Sequence, residues 1–232
     1  MSVLTSLGIL IVAMLIMFFM QLVPGVFLLF SHHVYGKYSK IKASDLSLFF
    51  ILGVELMLAL ILIILYLTLN AIFAFIRIDE RMIFWIFGVI FIILGIIFLV
   101  FYYRKGDGTN LYISRKCANN FQHVINSAKK RSDAFLLGLI SLIPELIFTL
   151  PIYLVVILEI MKIEDNALAR GGLIILIVLV SIIPLLVMHI LFGSGHNMAN
   201  IQRVRVKNKL FIRITVSILF LILATLLIMR VK

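Results

Sequence analysis

The chain has 232 residues, of which 64% are hydrophobic and 13% charged. Ordinary soluble domains are about 45–50% apolar and about 25% charged, so the composition excludes a globular domain folded in water. A net charge of +11 invites a nucleic-acid partner, but where the charges sit removes that reading.

A membrane helix needs roughly 20 mainly apolar residues to cross about 30 Å of hydrocarbon. The sequence predicts six, over about 7–30, 46–75, 82–103, 134–160, 171–192 and 210–229. The first is not expected to be a cleaved signal peptide, since no basic residue precedes it and no small-residue cleavage site follows. The expected class is all-α: one polytopic membrane domain over 1–232, with its longest polar stretch at 104–132. That stretch is too short for a soluble domain. Function is therefore expected within or beside the bilayer.

The basic residues predict an orientation. Loops 31–45, 104–133 and 193–213 hold 15 of the 21 lysines and arginines, and the opposite loops and ends hold 6. Counting acids, the first face carries +12 and the second +1. Basic loops stay cytoplasmic, so both termini are expected outside an inner (cytoplasmic) membrane. Ser44-Asp45 and Ser132-Asp133 are expected to cap helices where basic loops turn apolar. Phe121, Val124, Ile125 and Ala128 share one helical face amid Arg115, Lys116, Lys129 and Lys130. They predict either a helix lying on anionic inner-leaflet lipids or an ordinary connecting helix packed on the bundle.

Spans 1 and 4 share a pattern. Gln21-Leu-Val-Pro24-Gly25-Val-Phe27 aligns with Ser141-Leu-Ile-Pro144-Glu145-Leu-Ile147 at an offset of 120. Three helices form each half, about 1–103 and 133–232, so a repeat would enter the membrane from opposite sides. All four prolines, Pro24, Pro144, Pro151 and Pro184, fall inside predicted spans. Proline removes a donor and breaks or kinks a helix; in lipid the freed carbonyl needs protein or a wet cavity. A matched pair of breaks points to a central site, although proline is also common as a packing kink.

Together these residues resemble the superfamily that joins lysine exporters (LysE type) to the thiol-disulfide membrane domains of cytochrome c biogenesis proteins (CcdA/DsbD type). The second half is carried by Asp133 to Pro144, Gly171-Gly172 and Ser181-Ile-Ile-Pro184, and the first by Pro24-Gly25 followed by Tyr35-Gly36. The resemblance implies a 3+3 inverted repeat and transport of amino acids, metal ions or other small solutes. It departs at one point: thiol-transfer members place cysteine after those prolines, where this chain has Gly25 and Glu145. Thiol relay is therefore not implied.

Two acids lie near mid-span, Glu55 in span 2 and Glu145 in span 4. A charge there costs about 2.5–3.5 kcal/mol on insertion scales, so each must face the bundle interior or a wet cavity. A buried carboxyl can carry a proton or bind a cation; the alternative is a carboxylic acid donating an interhelical hydrogen bond. The expected substrate or ion site is Glu145, Glu55, Pro144, Pro24, Gly25, Gln21 and Ser141, with Asn70, Thr149 and Tyr153 as weaker lining. His32, His33 and His196 are weak candidates for a metal at the inner mouth, because no recognised ligand spacing accompanies them. No catalytic triad, nucleophile or cofactor motif is present, so neither an enzyme nor a bound cofactor is expected. The expected function is a secondary transporter exporting a small solute or ion. The alternatives are a non-transporting accessory or scaffold protein, or a thiol-independent membrane redox or lipid-modifying protein.

Overall fold

A computed structural model describes residues 3–21, 40–75, 79–101, 130–164, 166–193 and 209–231. These residues are almost wholly helical, with no strand among them. In chain order the elements are α1 (Val3–Met20), α2 (Lys40–Phe75), α3 (Glu80–Phe101), α4 (Arg131–Ser141), a 3-10 turn (Ile143–Glu145), α5 (Leu146–Ile163), α6 (Ala167–Ser181), α7 (Ile183–Gly193) and α8 (Lys209–Val231). Hydrocarbon offers no partner for backbone groups, and a helix satisfies them within its own segment.

Four apolar stretches are long enough to cross a membrane: Ser44–Phe75, Arg81–Val100, Ala167–Ile190 and Leu210–Arg230. Thr5–Met20 is apolar but shorter. The expected span at about 134–160 is divided into α4, the 3-10 turn and α5. Along α2, Leu52, Leu56, Leu60, Ile63 and Leu67 lie on one face and are all exposed. A water-soluble monomer does not display so long an apolar face. Hydrocarbon covers it.

Helices α2 and α4 approach until their backbones touch. A Cβ built on Gly53 would meet the Phe135 carbonyl oxygen and lie 3.1 Å from the Gly138 Cα. One built on Gly138 would meet the Phe50 carbonyl oxygen and lie 2.9 Å from the Val54 nitrogen. Lipid gives no hydrophobic drive between helices, so small residues that permit close packing supply the attraction. At the α3–α8 contact, aromatics dominate: Phe91 stacks on Phe220 at 5.9 Å, and Phe98 lies 6.1 Å from Phe220. Gly95 makes room there, with the Phe220 Cβ 3.3 Å from where its own Cβ would be.

The helix ends sort into two sets. At one end, Arg131 of α4 donates to Asp45 of α2 at 2.7 Å, and Ser47 of α2 meets His189 of α7 at 2.6 Å. The hydrogen bond and charge of Asp45 hold the exposed Arg131 guanidinium above its ordinary pKa. These contacts bring the starts of α2 and α4 and the latter part of α7 to a common end of the bundle. At the opposite end, Phe84 of α3 meets Lys162 of α5 and Arg230 of α8.

One cap expectation is corrected, and the other is met through Asp133. Helix α2 begins at Lys40, so Ser44 and Asp45 lie within it, and Asp45 pairs with Arg131 instead of capping. Helix α4 begins at Arg131, which makes Asp133 its third residue; its carboxylate accepts the Lys130 backbone N–H at 3.1 Å. An acid there satisfies an orphan donor and still complements the helix dipole. The inner-leaflet helix expected around Phe121 lies outside the described residues.

Candidate functional site

The expected fourth span breaks where Pro144 stands. Proline cannot donate to the Ile140 carbonyl, and α4 stops at Ser141. The chain tightens into a 3-10 turn in which the Glu145 N–H donates to the Leu142 carbonyl at 3.0 Å, and then resumes as α5. The same motif recurs 40 residues later. Ser181-Ile-Ile-Pro184 divides α6 from α7 as Ser141-Leu-Ile-Pro144 divides α4 from α5. In both, the serine hydroxyl folds back onto the carbonyl three residues earlier: Ser141 to Gly138 at 2.7 Å and Ser181 to Val178 at 2.8 Å. A hydroxyl bonded to its own helix gives up lining capacity and supports the bend.

The two breaks serve one buried polar cluster. Glu55 of α2 receives the Ser181 hydroxyl at 3.1 Å, across the α2–α6 contact. A hydroxyl has one proton, so Ser181 divides it between Glu55 and the Val178 carbonyl. Glu145 sits in the 3-10 turn, and its backbone carbonyl accepts the Thr149 hydroxyl at 3.1 Å. Thr149 in turn is hydrogen-bonded to the Tyr153 hydroxyl, which lies within electrostatic reach of both Glu145 and Glu55. All five side chains are buried; Glu55 is 7% and Glu145 6% exposed.

The cluster is incompletely satisfied. Glu55 Oε1 and Glu145 Oε1 are buried with no hydrogen-bond partner among the described residues. Neither carboxyl forms an ion pair among those residues. Glu159, one helix segment further on, shows the contrast: it is fully buried and pairs with Arg230. Its Oε2 is likewise without a partner among those residues, yet this carboxyl has a cation. Glu55 and Glu145 do not.

The other expected site residues divide. Ser141 is fully buried but bonds only its own helix, and the backbone of Pro144 forms the turn. Gln21 is buried at the end of α1, with its Oε1 unpartnered. Asn70 is exposed, away from the cluster. Pro24, Gly25, His32, His33 and His196 lie outside the described residues. Among the described residues no group of three His, Cys, Asp or Glu side chains could hold a metal ion. Sequence reasoning passed over Ser181 as a partner of Glu55, and counted Glu159 and Arg230 as outer charges. For Ser181 the signal was present: the Ser-x-x-Pro spacing repeats that of Ser141.

A cavity of about 200 Å³ lies at the Phe84 end, lined by Phe73, Ile83, Phe84, Leu158, Met161 and Lys162. No family model matches the chain, and neither does any curated protein or solved structure.

Proposed function

We propose that the chain is a membrane secondary transporter for a small solute or ion, with Glu145 and Glu55 as its coupling or substrate groups. One observation carries the reading: two buried carboxyls without a cation share a polar cluster at a break in the helices. A buried ionisable group left partly unsatisfied is expensive, and in membrane proteins such groups mark ion and proton paths. Broken helices supply what continuous ones lack, namely backbone carbonyls and amides free to turn toward a ligand. Pro24-Gly25 and Pro144-Glu145 would then be equivalent points of a three-plus-three inverted repeat. The resemblance to the lysine exporter and CcdA/DsbD superfamily leads to the same proposal.

Alternating access follows from that arrangement. One three-helix half rocks against the other, exposing the cluster to each side in turn. On this reading both termini lie outside an inner membrane, and the basic loops rest on anionic lipid of the inner leaflet. The closed packing around Glu55 and Glu145 is the occluded stage of the cycle.

A second reading has an observation of its own. Both carboxyls are shut off from solvent, and the cavity at the Phe84 end is lined by residues other than those of the cluster. A scaffold protein whose helices pack without a pathway would have that character. Proteoliposomes separate the two. With entrapped pyranine as the pH probe, an imposed proton or sodium gradient should drive proton movement above protein-free vesicles, and Glu55→Gln should lower it at least tenfold. Wild-type vesicles no faster than protein-free ones under both gradients would favour the scaffold.

A further inference from the structure

The Phe84 end is closed by charge in a setting where charge is costly. Glu159 of α5 is fully buried, and its Oε1 accepts from Arg230 of α8, whose side chain is 14% exposed. The Arg230 guanidinium also lies 4.8 Å from the centre of the Phe84 ring, and the Lys162 ammonium lies 4.2 Å from it. Phe84 itself is 3% exposed and lies near the start of α3. One aromatic ring thus joins the ends of three helices through two cations and one acid. The cavity beside it borders Phe84 and Lys162 and gives the ring somewhere to move.

A buried ion pair adds little net stability over apolar packing of the same volume, because desolvation consumes the Coulomb gain. It does create two discrete states. While the site is dry, separating the charges is strongly unfavourable; once water enters, each charge is hydrated and the pair comes apart cheaply. The opposite end differs. Its Asp45–Arg131 pair is exposed, at 35% and 65%, and water screens it in any state. Glu159 stands about 9 Å along α5 from Tyr153 of the polar cluster, at 1.5 Å per residue. It lies between that cluster and the end of the bundle.

We infer that Glu159, Arg230 and Phe84 form a gate over the Glu55–Glu145 cluster, shut in this structure, and that parting the ion pair opens the Phe84 end. The inference rests on the transporter reading but is tested by a readout that needs no transport. In a Cys117→Ser background, Val156→Cys places a thiol at a fully buried position between Tyr153 and Glu159. Leu46→Cys places one at a buried position near the other end. Each full-length variant, in lipid nanodiscs, is reacted with a membrane-impermeant charged maleimide. Adding Glu159→Gln should raise the labelling rate of the Val156→Cys protein at least tenfold and leave that of the Leu46→Cys protein within twofold. The exchanged pair Glu159→Arg with Arg230→Glu should return labelling at position 156 toward its original rate. Unchanged labelling at position 156 on adding Glu159→Gln would overturn the gate, and so would a parallel rise at both thiols, which reports general loosening. Should Glu159→Gln fail to fold, Arg230→Lys keeps the charge but loses the planar guanidinium. It should raise labelling at position 156 severalfold, and an unchanged rate there overturns the gate equally.

Discussion

Gly53 and Gly138 lie backbone to backbone, with the Gly138 Cα 3.1 Å from where a Gly53 Cβ would stand. The contact fixes α2 against α4 close in sequence to both Glu55 and Ser141, so it sets the level of the polar cluster. Only glycine on both sides permits it. The facing atoms are backbone, which cannot rotate away as a side chain can.

Alanine at either position should therefore destabilise the protein. Overpacking typically costs about 1–3 kcal/mol, and contact with backbone puts Gly53→Ala and Gly138→Ala at or above the upper end. Gly171→Ala is the control, because nothing lies within 4 Å of its Cβ position. Removing a helical glycine there should gain about 0.5–1 kcal/mol. Thermal unfolding in detergent, followed by a thiol- or tryptophan-based signal, checks both directions.

Glu159 of α5 and Glu55 of α2, both buried, should differ in what their surroundings contribute to stability. Arg230→Ala leaves Glu159 buried without its cation, and breaking a buried pair from one side costs about 3–5 kcal/mol. Glu55→Gln preserves shape and an acceptor for Ser181, so its loss should stay within about 1 kcal/mol. Unfolding midpoints of the two variants should differ clearly. Equal midpoints would mean that Glu159 and Glu55 are held in the same way.

Ser181→Ala separates support of the bend from support of Glu55. Its hydroxyl serves Val178 and Glu55, so removal should cost about 1 kcal/mol. Ser141→Ala loses only its Gly138 carbonyl contact and should cost no more than that. In transport, Ser181→Ala is expected to change the rate and Ser141→Ala to leave it within twofold. One batch of proteoliposomes serves for both variants.

Charge at the other end should matter little to folding. Asp45→Asn removes an exposed pair, and exposed pairs contribute little once water and salt screen them. Its unfolding midpoint should match that of the parent. Arg131 also lies 5.3 Å from the centre of the Phe49 ring, a packing contact that Asp45→Asn leaves intact.

Much of this architecture could be read from residue order, and the reasons are specific. Hydrocarbon demands long apolar runs, so α2, α3 and α8 end within a few residues of where composition put them, apart from the start of α2. There the helix runs back to Lys40, ahead of the long apolar run. The break before Glu145 was legible because proline has no N–H to give. The Gly53–Gly138 contact was not, since a lone glycine in an apolar run carries no sign of what faces it. The Glu159–Arg230 pair was hidden for a related reason: 71 residues separate its members, and each sits at a helix end where charge ordinarily meets water. Sequence order also could not bring Ser181 to Glu55, 126 residues away.

On the transporter reading, Glu145 exchanges a proton or cation as the bundle cycles. Gradient-driven flux through proteoliposomes of wild type, Glu145→Asp and Glu145→Gln, with entrapped pyranine and equal protein content, measures this without an intermediate step. Wild-type flux should exceed that of protein-free vesicles, aspartate should reduce it, and glutamine should bring it to background. Wild-type flux in correctly folded Glu145→Gln would contradict the assignment of Glu145.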